Sequence, residues 1–339
     1  MELYEYARPE LYDGCKILYL HGFASSGQNG AVKTMRLLLP GATVLAPDLP
    51  VEPDEVLPMV NELLEREKPE LVIGTSMGGM FAEMLYGYDR IIVNPALHLA
   101  DTLLKNNGLG RQDFHSPRAD GATSFLVTKG MLERFREISS HCFEGLAEAG
   151  ADEQEHVYGM FGTRDSMVDC FGEFSGHYRN SLRFDGEHYL NDAVFLHSVL
   201  PVMQWMDDRR VQREKRSILI TLDDVLRDSR NGQSVGECVK TVSALARYYD
   251  VYFAGRGDHC DGGARKADMD WLDRWIGVPA WNRVISGNHK ELLLGDYLID
   301  AHPEECGGDG FMGTLLHFGR EPFRSWQEIR EFFERLGGQ

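Results

Sequence analysis

The sequence predicts an α/β protein with two domains in tandem, each built on a mostly parallel sheet flanked by helices. Three observations carry this. Short apolar runs alternate with segments of helical spacing, an order that gives parallel strands covered on both faces. The alternation stops at "DDRRVQREKR", a charged stretch without core positions, and then starts again. The length of 339 residues suits about two domains, and 43% apolar content can fill a core in each. The expected boundaries are 1–208 for the first domain, 209–216 for a charged linker and 217–339 for the second.

In chain order, "KILYLHGF" and "ATVLAPDLP" read as buried strands with turn-rich tips. "DEVLPMVNELLEREKPE" between them and the next strand has helical spacing before a proline stop. "LVIGTS", "RIIVNPA", "SFLVT", "HVYGMFGTRD" and "NSLRFDGEHYL" continue the strand series, with "GMLERFREISSHCFEGLAEAG" and "DAVFLHSVLPVMQWMDD" as helices. A second series opens at "SILITLDDVL", passes through "VGECVKTVSALARYYDVYFAGRGD", "WLDRWIGVPAWNRVIS" and "LLLGDYLIDAHPE", and closes on a helix in "SWQEIREFFERLGG". There are no internal repeats and no low-complexity tracts. Reactive groups in such sheets collect at the carboxyl ends of the strands.

Composition narrows the partners. A net charge of −18 argues against nucleic acid and anionic membranes, which are bound through clustered Lys and Arg. Cys15, Cys142, Cys170, Cys238, Cys260 and Cys306 are scattered without C-x-x-C spacing, as expected of reduced thiols rather than a metal site or disulfide frame. The opening "MELYEYARPELYDG" has no apolar core of a leader, and no run of 18 apolar residues follows. A cytoplasmic protein without cofactor or bound metal is the expectation.

"LVIGTSMGGMFAEML" sets Ser76 between Gly74 and Gly78 directly after an apolar run. Glycines at that spacing allow a sharp strand-to-helix turn that presents a strained residue's side chain, the shape a nucleophile needs. A nucleophilic serine requires a base and an orienting acid later in the chain. "RFDGEHYLND" offers His188 after the terminal strand of the first series, and "VYGMFGTRDSMVD" offers Asp165 at the end of the preceding one. Asp169 is the alternative acid, and His21 and His177 are alternative bases. Oxyanion donors are expected from the backbone N–H of Met77 and, across the "YLHGFASSG" loop, from that of Phe23 or Ala24. His21 is expected to brace this loop by hydrogen bonding.

"ILYLHGFASSG", "VLAPDLP", "LVIGTSMGGMFAEML", "IIVNPAL", "FGTRDSMVD" and "FDGEHYL" together resemble the YqiA-like esterases, a compact branch of the α/β-hydrolase fold, over residues 15–206. The resemblance implies a serine hydrolase acting on small acyl esters or thioesters. It implies Ser76 as nucleophile, Asp165 as acid, His188 as base, and oxyanion amides from Phe23 and Met77. The family's "GG-x-H-x-F" around the base stands here as "DGEHYL", which leaves the base intact. The long segment between Pro95 and Glu155 is expected to form part of a cover.

"ILITLDDVLRD" resembles the opening strand of haloacid-dehalogenase-type phosphatases. "HKELLLGDYLIDAHPE" and "FGREPFRSWQEI" narrow the resemblance, over residues 217–337, to the 5'(3')-deoxyribonucleotidases. Those enzymes attack phosphate with the first Asp of D-x-D-G and bind Mg²⁺ with it and a later acidic pair. In "TLDD" Thr221 holds the nucleophile's place and only the second carboxylate, Asp223, remains. Lys290 matches the phosphate-binding lysine. The acidic pair is reduced to Asp300 followed by Ala301, and no hydroxyl stands near Gly255 to close the second strand. Threonine does not form an aspartyl-phosphate, and a lost carboxylate weakens a hard cation's oxygen site. A degenerate, HAD-like pseudophosphatase domain is the expectation, with Asp223, Lys290 and Asp300 as phosphate-binding candidates. The competing functions are a phosphate- or nucleotide-binding or scaffolding protein and a nucleotide phosphatase.

Overall fold

The computed structural model describes residues 3–106, 108–257 and 262–337, so Cys260 lies outside the described residues. The chain divides into two units, Met1–Val211 and Gln212–Gln339. In the first unit the strands are β1 (Lys16–Leu20), β2 (Thr43–Leu45), β3 (Leu71–Thr75), β4 (Arg90–Val93), β5 (Gly110–Asp113), β6 (Ser124–Val127), β7 (Val157–Gly162) and β8 (Ser181–Phe184). Six of them form one sheet in the order β2-β1-β3-β4-β7-β8, with every pairing parallel. Leu71, Val72, Ile73, Ile91 and Ile92 are fully buried, as strands covered on both faces require. Strand order reverses between β1 and β3, which opens a crevice at their carboxyl ends.

The helices that cover this sheet begin and end where local chemistry directs. Helix α1 (Gly30–Leu38) is capped by Asn29, whose side chain accepts the Val32 N–H at 3.1 Å. Helix α2 (Pro53–Glu67) starts on a proline, whose missing donor would have no intrahelical partner there, and stops at Lys68 in the left-handed region (φ 49°). Its Val56, Val60 and Leu64 lie at four-residue spacing and pack as one buried stripe. Helix α3 (Met77–Glu83) is buried all round. Phe81 on it has no exposed surface, and Phe81→Ala would cost about 3–5 kcal/mol through lost transfer energy and a residual cavity.

Three features differ from the sequence reading. "SFLVT" lies outside the parallel sheet: β6 pairs antiparallel with β5 in a separate ribbon, with Gly110 facing Val127. The helix expected to run to Gly150 stops at Ser139, and Phe143 follows with a φ of 68°, which no helix accommodates. The last helix of the unit carries a π-helical turn, Phe195–Val199, just before Leu200–Arg210, where Pro201 has no N–H to continue a regular ladder. That helix reaches Arg210, two residues into the stretch expected to be linker.

The second unit has β9 (Ser217–Thr221), β10 (Asp250–Gly255), β11 (Val284–Ser286), β12 (Tyr297–Asp300) and β13 (Thr314–His317) in one parallel sheet, ordered β11-β10-β9-β12-β13. Its core centres on β9, where Ile218 and Ile220 pack with Phe253, Leu272, Ile299 and Phe333. The closing helix Trp326–Arg335 is capped by Ser325 and locked by a Trp326 Nε1 bond to the Val225 carbonyl at 2.8 Å. Between β9 and the helix Cys238–Leu245 the chain forms only turns and isolated bridges, including Asp223 to Arg227 and Arg227 to Ser234. Among the described residues, no helix is long and apolar enough to cross a membrane.

Candidate active site

Ser76 stands at the carboxyl end of β3 with φ 52° and ψ −116°, a strained conformation for a residue with a side chain. Close backbone approach makes the turn possible. A Cβ on Gly78 would lie 2.1 Å from the Leu20 carbonyl oxygen, and one on Gly74 would lie 2.4 Å from the Gly78 oxygen. The two glycines let β1, β3 and α3 close around the serine.

The neighbouring strand ends bring up the partners. His188 Nε2 lies 3.0 Å from Ser76 Oγ, and His188 Nδ1 lies 2.7 Å from Asp165 Oδ2. A carboxylate only accepts, so Nδ1 carries the proton and Nε2 is free to accept the serine hydroxyl. Burial pushes the Asp165 carboxyl up, but hydrogen bonds from His188, Val168 and Met167 outweigh it and hold the group below the usual carboxylate range. Asp165 is therefore ionised where it faces the imidazole. The alternatives are placed elsewhere: Asp169 is exposed, and exposed His177 stacks on Phe143 with ring centroids 4.1 Å apart.

His21 is buried and both of its nitrogens are occupied. Leu49 N–H donates to Nε2 at 2.9 Å, so the proton sits on Nδ1, which donates to the Gly22 carbonyl at 2.8 Å. Burial lowers this imidazole to about 4, leaving it neutral near pH 7. The C=O and N–H of one trans peptide point in opposite directions. Holding the Gly22 carbonyl toward His21 thus turns the Phe23 N–H away from it. Gly22 also abuts the serine, since a Cβ there would lie 3.2 Å from Ser76 Cβ.

The segment expected to form a cover meets this same loop. The His115 N–H donates to the Ala24 carbonyl at 2.7 Å, Ser26 Oγ donates to the Pro117 carbonyl at 2.6 Å, and Phe125 packs edge-on to Phe23 at 5.2 Å. Two residues without an assigned role from sequence emerge here. Asp48 in "APDLP" bridges the Gly27 N–H (2.8 Å) and the Ala119 N–H (2.6 Å). Asn94, after β4, contacts the backbone of both the acid and base segments. For Asn94 the available signal was a polar residue directly beyond a buried strand and before a proline.

At the carboxyl ends of the second sheet, the charged groups face one another. Thr221 Oγ1 lies 3.3 Å from both the Ile299 carbonyl and Asp300 Oδ1. Asp300, 2% exposed, takes Lys290 Nζ at 2.5 Å and the His302 N–H at 3.0 Å. Arg227, which the sequence reading did not single out, joins Asp223 (2.6 Å) to Asp268 (2.8 Å), and Arg256 pairs with Glu305. The Mg²⁺ implied by the phosphatase resemblance does not fit these donors. A neutral hydroxyl replaces the first carboxylate, and the remaining two are engaged by cationic side chains. Of the three phosphate-binding candidates, Lys290 and Asp300 are brought together, whereas Asp223 is turned to Arg227.

A family model described as an uncharacterised protein family (UPF0227) matches residues 16–194, just over half of the chain. A 5'(3')-deoxyribonucleotidase by name, from Vibrio phage KVP40, is 31% identical over 91 residues, 27% of this chain and 53% of that protein. The chain thus spans about half the length of this curated relative. Among solved structures, the chain is similar to Est1E from Butyrivibrio proteoclasticus, with 14% identity over 58% of this chain and 87% of that one and a TM-score of 0.37. It is also similar to the esterase domain of a Rhodothermus marinus protein, with 19% identity, the same two coverages and a TM-score of 0.39. The chain belongs to the UPF0227 family, the YqiA-like esterases of the α/β-hydrolase fold, and forms a second parallel sheet beyond the matched residues.

Proposed function

We propose that the protein hydrolyses small acyl esters or thioesters through a Ser76–His188–Asp165 triad and an acyl-enzyme intermediate. The observation that carries this is the continuous contact from Ser76 Oγ to His188 Nε2 (3.0 Å) and from His188 Nδ1 to Asp165 (2.7 Å) at a strained turn. Ser76 Oγ attacks the carbonyl carbon as its proton passes to His188 Nε2, and Asp165 stabilises the imidazolium. The N–H groups of Phe23 and Met77 receive the charge that develops on the carbonyl oxygen. His188 then gives its proton to the departing alkoxide or thiolate, and water repeats the sequence to release the acid.

In this reading the second unit turns over no phosphate ester, because Thr221 offers a bonded hydroxyl where an attacking carboxylate is required. A cytoplasmic setting belongs to the same proposal, in keeping with five unpaired cysteines among the described residues. The test is a fluorophosphonate probe with intact-mass and peptide analysis. The expected result is one adduct, on Ser76, with parallel loss of aryl-ester hydrolysis. An unlabelled Ser76 in a folded protein sinks the reading.

A further inference from the structure

The residues at the end of β4 contact Ser76 and the segments that carry His188 and Asp165. The Ser76 N–H donates to the Val93 carbonyl at 3.1 Å, and the Ala96 N–H donates to the Ser76 carbonyl at 3.0 Å. Between them Asn94, 1% exposed, uses its whole side-chain amide. Its Nδ2 donates to the carbonyls of Glu187 and His188, each at 3.0 Å, and its Oδ1 accepts the Gly162 N–H at 2.8 Å. Gly162 ends β7, and its carbonyl accepts the Asp165 N–H at 3.2 Å. One side chain thus cross-links the loop bearing the base to the strand end bearing the acid, from a backbone that clasps the serine. Asn94 sits at φ 44°, where asparagine and glycine are tolerated better than other residues.

The geometry points to Asn94 as the positioning residue of the triad: its amide holds the His188 and Asp165 segments at the separation that lets the imidazole span from carboxylate to serine. Asn94 touches no reacting atom, so its effect falls on transition-state geometry rather than on substrate binding. Only a carboxamide of this length supplies two donors and one acceptor to these three groups. Asp in its place would turn an acceptor toward two carbonyls. The inference rests on the proposed triad, and it predicts a signature independent of turnover.

The test compares the full-length protein with Asn94→Gly and Asn94→Ser. Glycine keeps the positive φ while removing all three side-chain bonds, and serine retains a short hydroxyl. Three readouts are taken: kcat and KM for a short-chain aryl ester, the rate of Ser76 labelling by a fluorophosphonate, and the downfield proton resonance of the His188–Asp165 hydrogen bond. Asn94→Gly is expected to lower kcat about 10- to 100-fold, the scale of a small misplacement of reacting groups, with KM within about twofold. Labelling should slow by the same factor and the resonance should broaden or vanish; Asn94→Ser should fall between. If Asn94→Gly does not fold, natively melting Asn94→Ser carries the comparison. A wild-type kcat with an unchanged resonance in either folded variant overturns the inference, and so does a loss confined to KM. A wild-type protein that shows the resonance but takes no label on Ser76 overturns the esterase reading instead, and the resonance still reports on Asn94.

Discussion

At the carboxyl edge of the first sheet, Ser76 offers its proton to His188, which is oriented by an ionised Asp165. At the carboxyl edge of the second, Asp300 is held by Lys290 and by a backbone N–H, and Asp223 is held by Arg227. Both edges are polar and rich in short hydrogen bonds, and both belong to parallel sheets. They differ in what their bonds leave available. In the first, the bonds run in series in the order the proposed proton transfer needs; in the second, the carboxylates are engaged by Lys290 and Arg227. Charged residues at a strand end are therefore weak indicators of chemistry until their partners are known.

The largest expected effect comes from removing the nucleophile. Ser76→Ala should cost roughly a millionfold in kcat on a short-chain aryl ester, and Asp165→Asn about ten-thousandfold, because the acid orients and stabilises the base without itself transferring the proton. Retention of a tenth of the activity in Ser76→Ala would exclude that serine. On the other side of the comparison, deoxynucleoside monophosphates with Mg²⁺ should release no phosphate. Release that survives Ser76→Ala but disappears in Asp223→Asn would show that the second edge is reactive after all.

A smaller effect concerns pH. The His21 imidazole, at about 4 in the folded protein, lies below the free value of 6.5 because burial opposes its charge. Between those values the unfolded chain binds more protons, so the first unit is most stable above about pH 6.5 and loses stability as pH falls toward 4. The loss should reach about 2–3 kcal/mol by pH 4.5. Urea unfolding of the first unit, compared at pH 7 and pH 4.5 with His21→Gln, measures it. Equal pH dependence in the two proteins would mean that another group sets the acid limit.

The smallest effect tests whether the second edge is held by its own cations. Arg227→Gln leaves Asp223 and Asp268 without their shared partner and should destabilise the second unit by about 2 kcal/mol. Scanning calorimetry should show its transition lowered while aryl-ester turnover stays at the wild-type rate. An unmoved transition would mean that Arg227 contributes nothing to holding that edge.

Much of the first site could be read in the sequence because its signals are local. "GTSMGG" defines a turn by the space between backbones, and Asp165 and His188 each follow a recognisable strand end. The order of strands and helices was equally plain, since periodic burial leaves its mark in every window. The ribbon containing "SFLVT" was not, because a short apolar run has the same pattern whether it pairs within the main sheet or with a neighbour in a hairpin. Asn94, Asp48 and Arg227 escaped assignment for another reason. Asn94 bonds to residues more than sixty positions away, and Asp48 reaches across to Ala119. Arg227 meets Asp223 at the spacing of a helix turn, yet the segment is not helical, and its second partner, Asp268, lies far along the chain. Spacing within a motif carries none of this.

The hydroxyl of Thr221 beside Asp300 also makes phosphatase chemistry hard to install on the second sheet. Thr221→Asp alone would set a second carboxylate against a buried one already served by Lys290, so two negative groups would compete for one ammonium. Such a pair resists double ionisation, and the variant would either hold a proton or lose stability before it could bind a metal. The companion carboxylate at Asp223 would still be engaged with Arg227. Installing that chemistry therefore requires at least two coordinated substitutions, the first of them unfavourable by itself, so the threonine acts as a lock on the site.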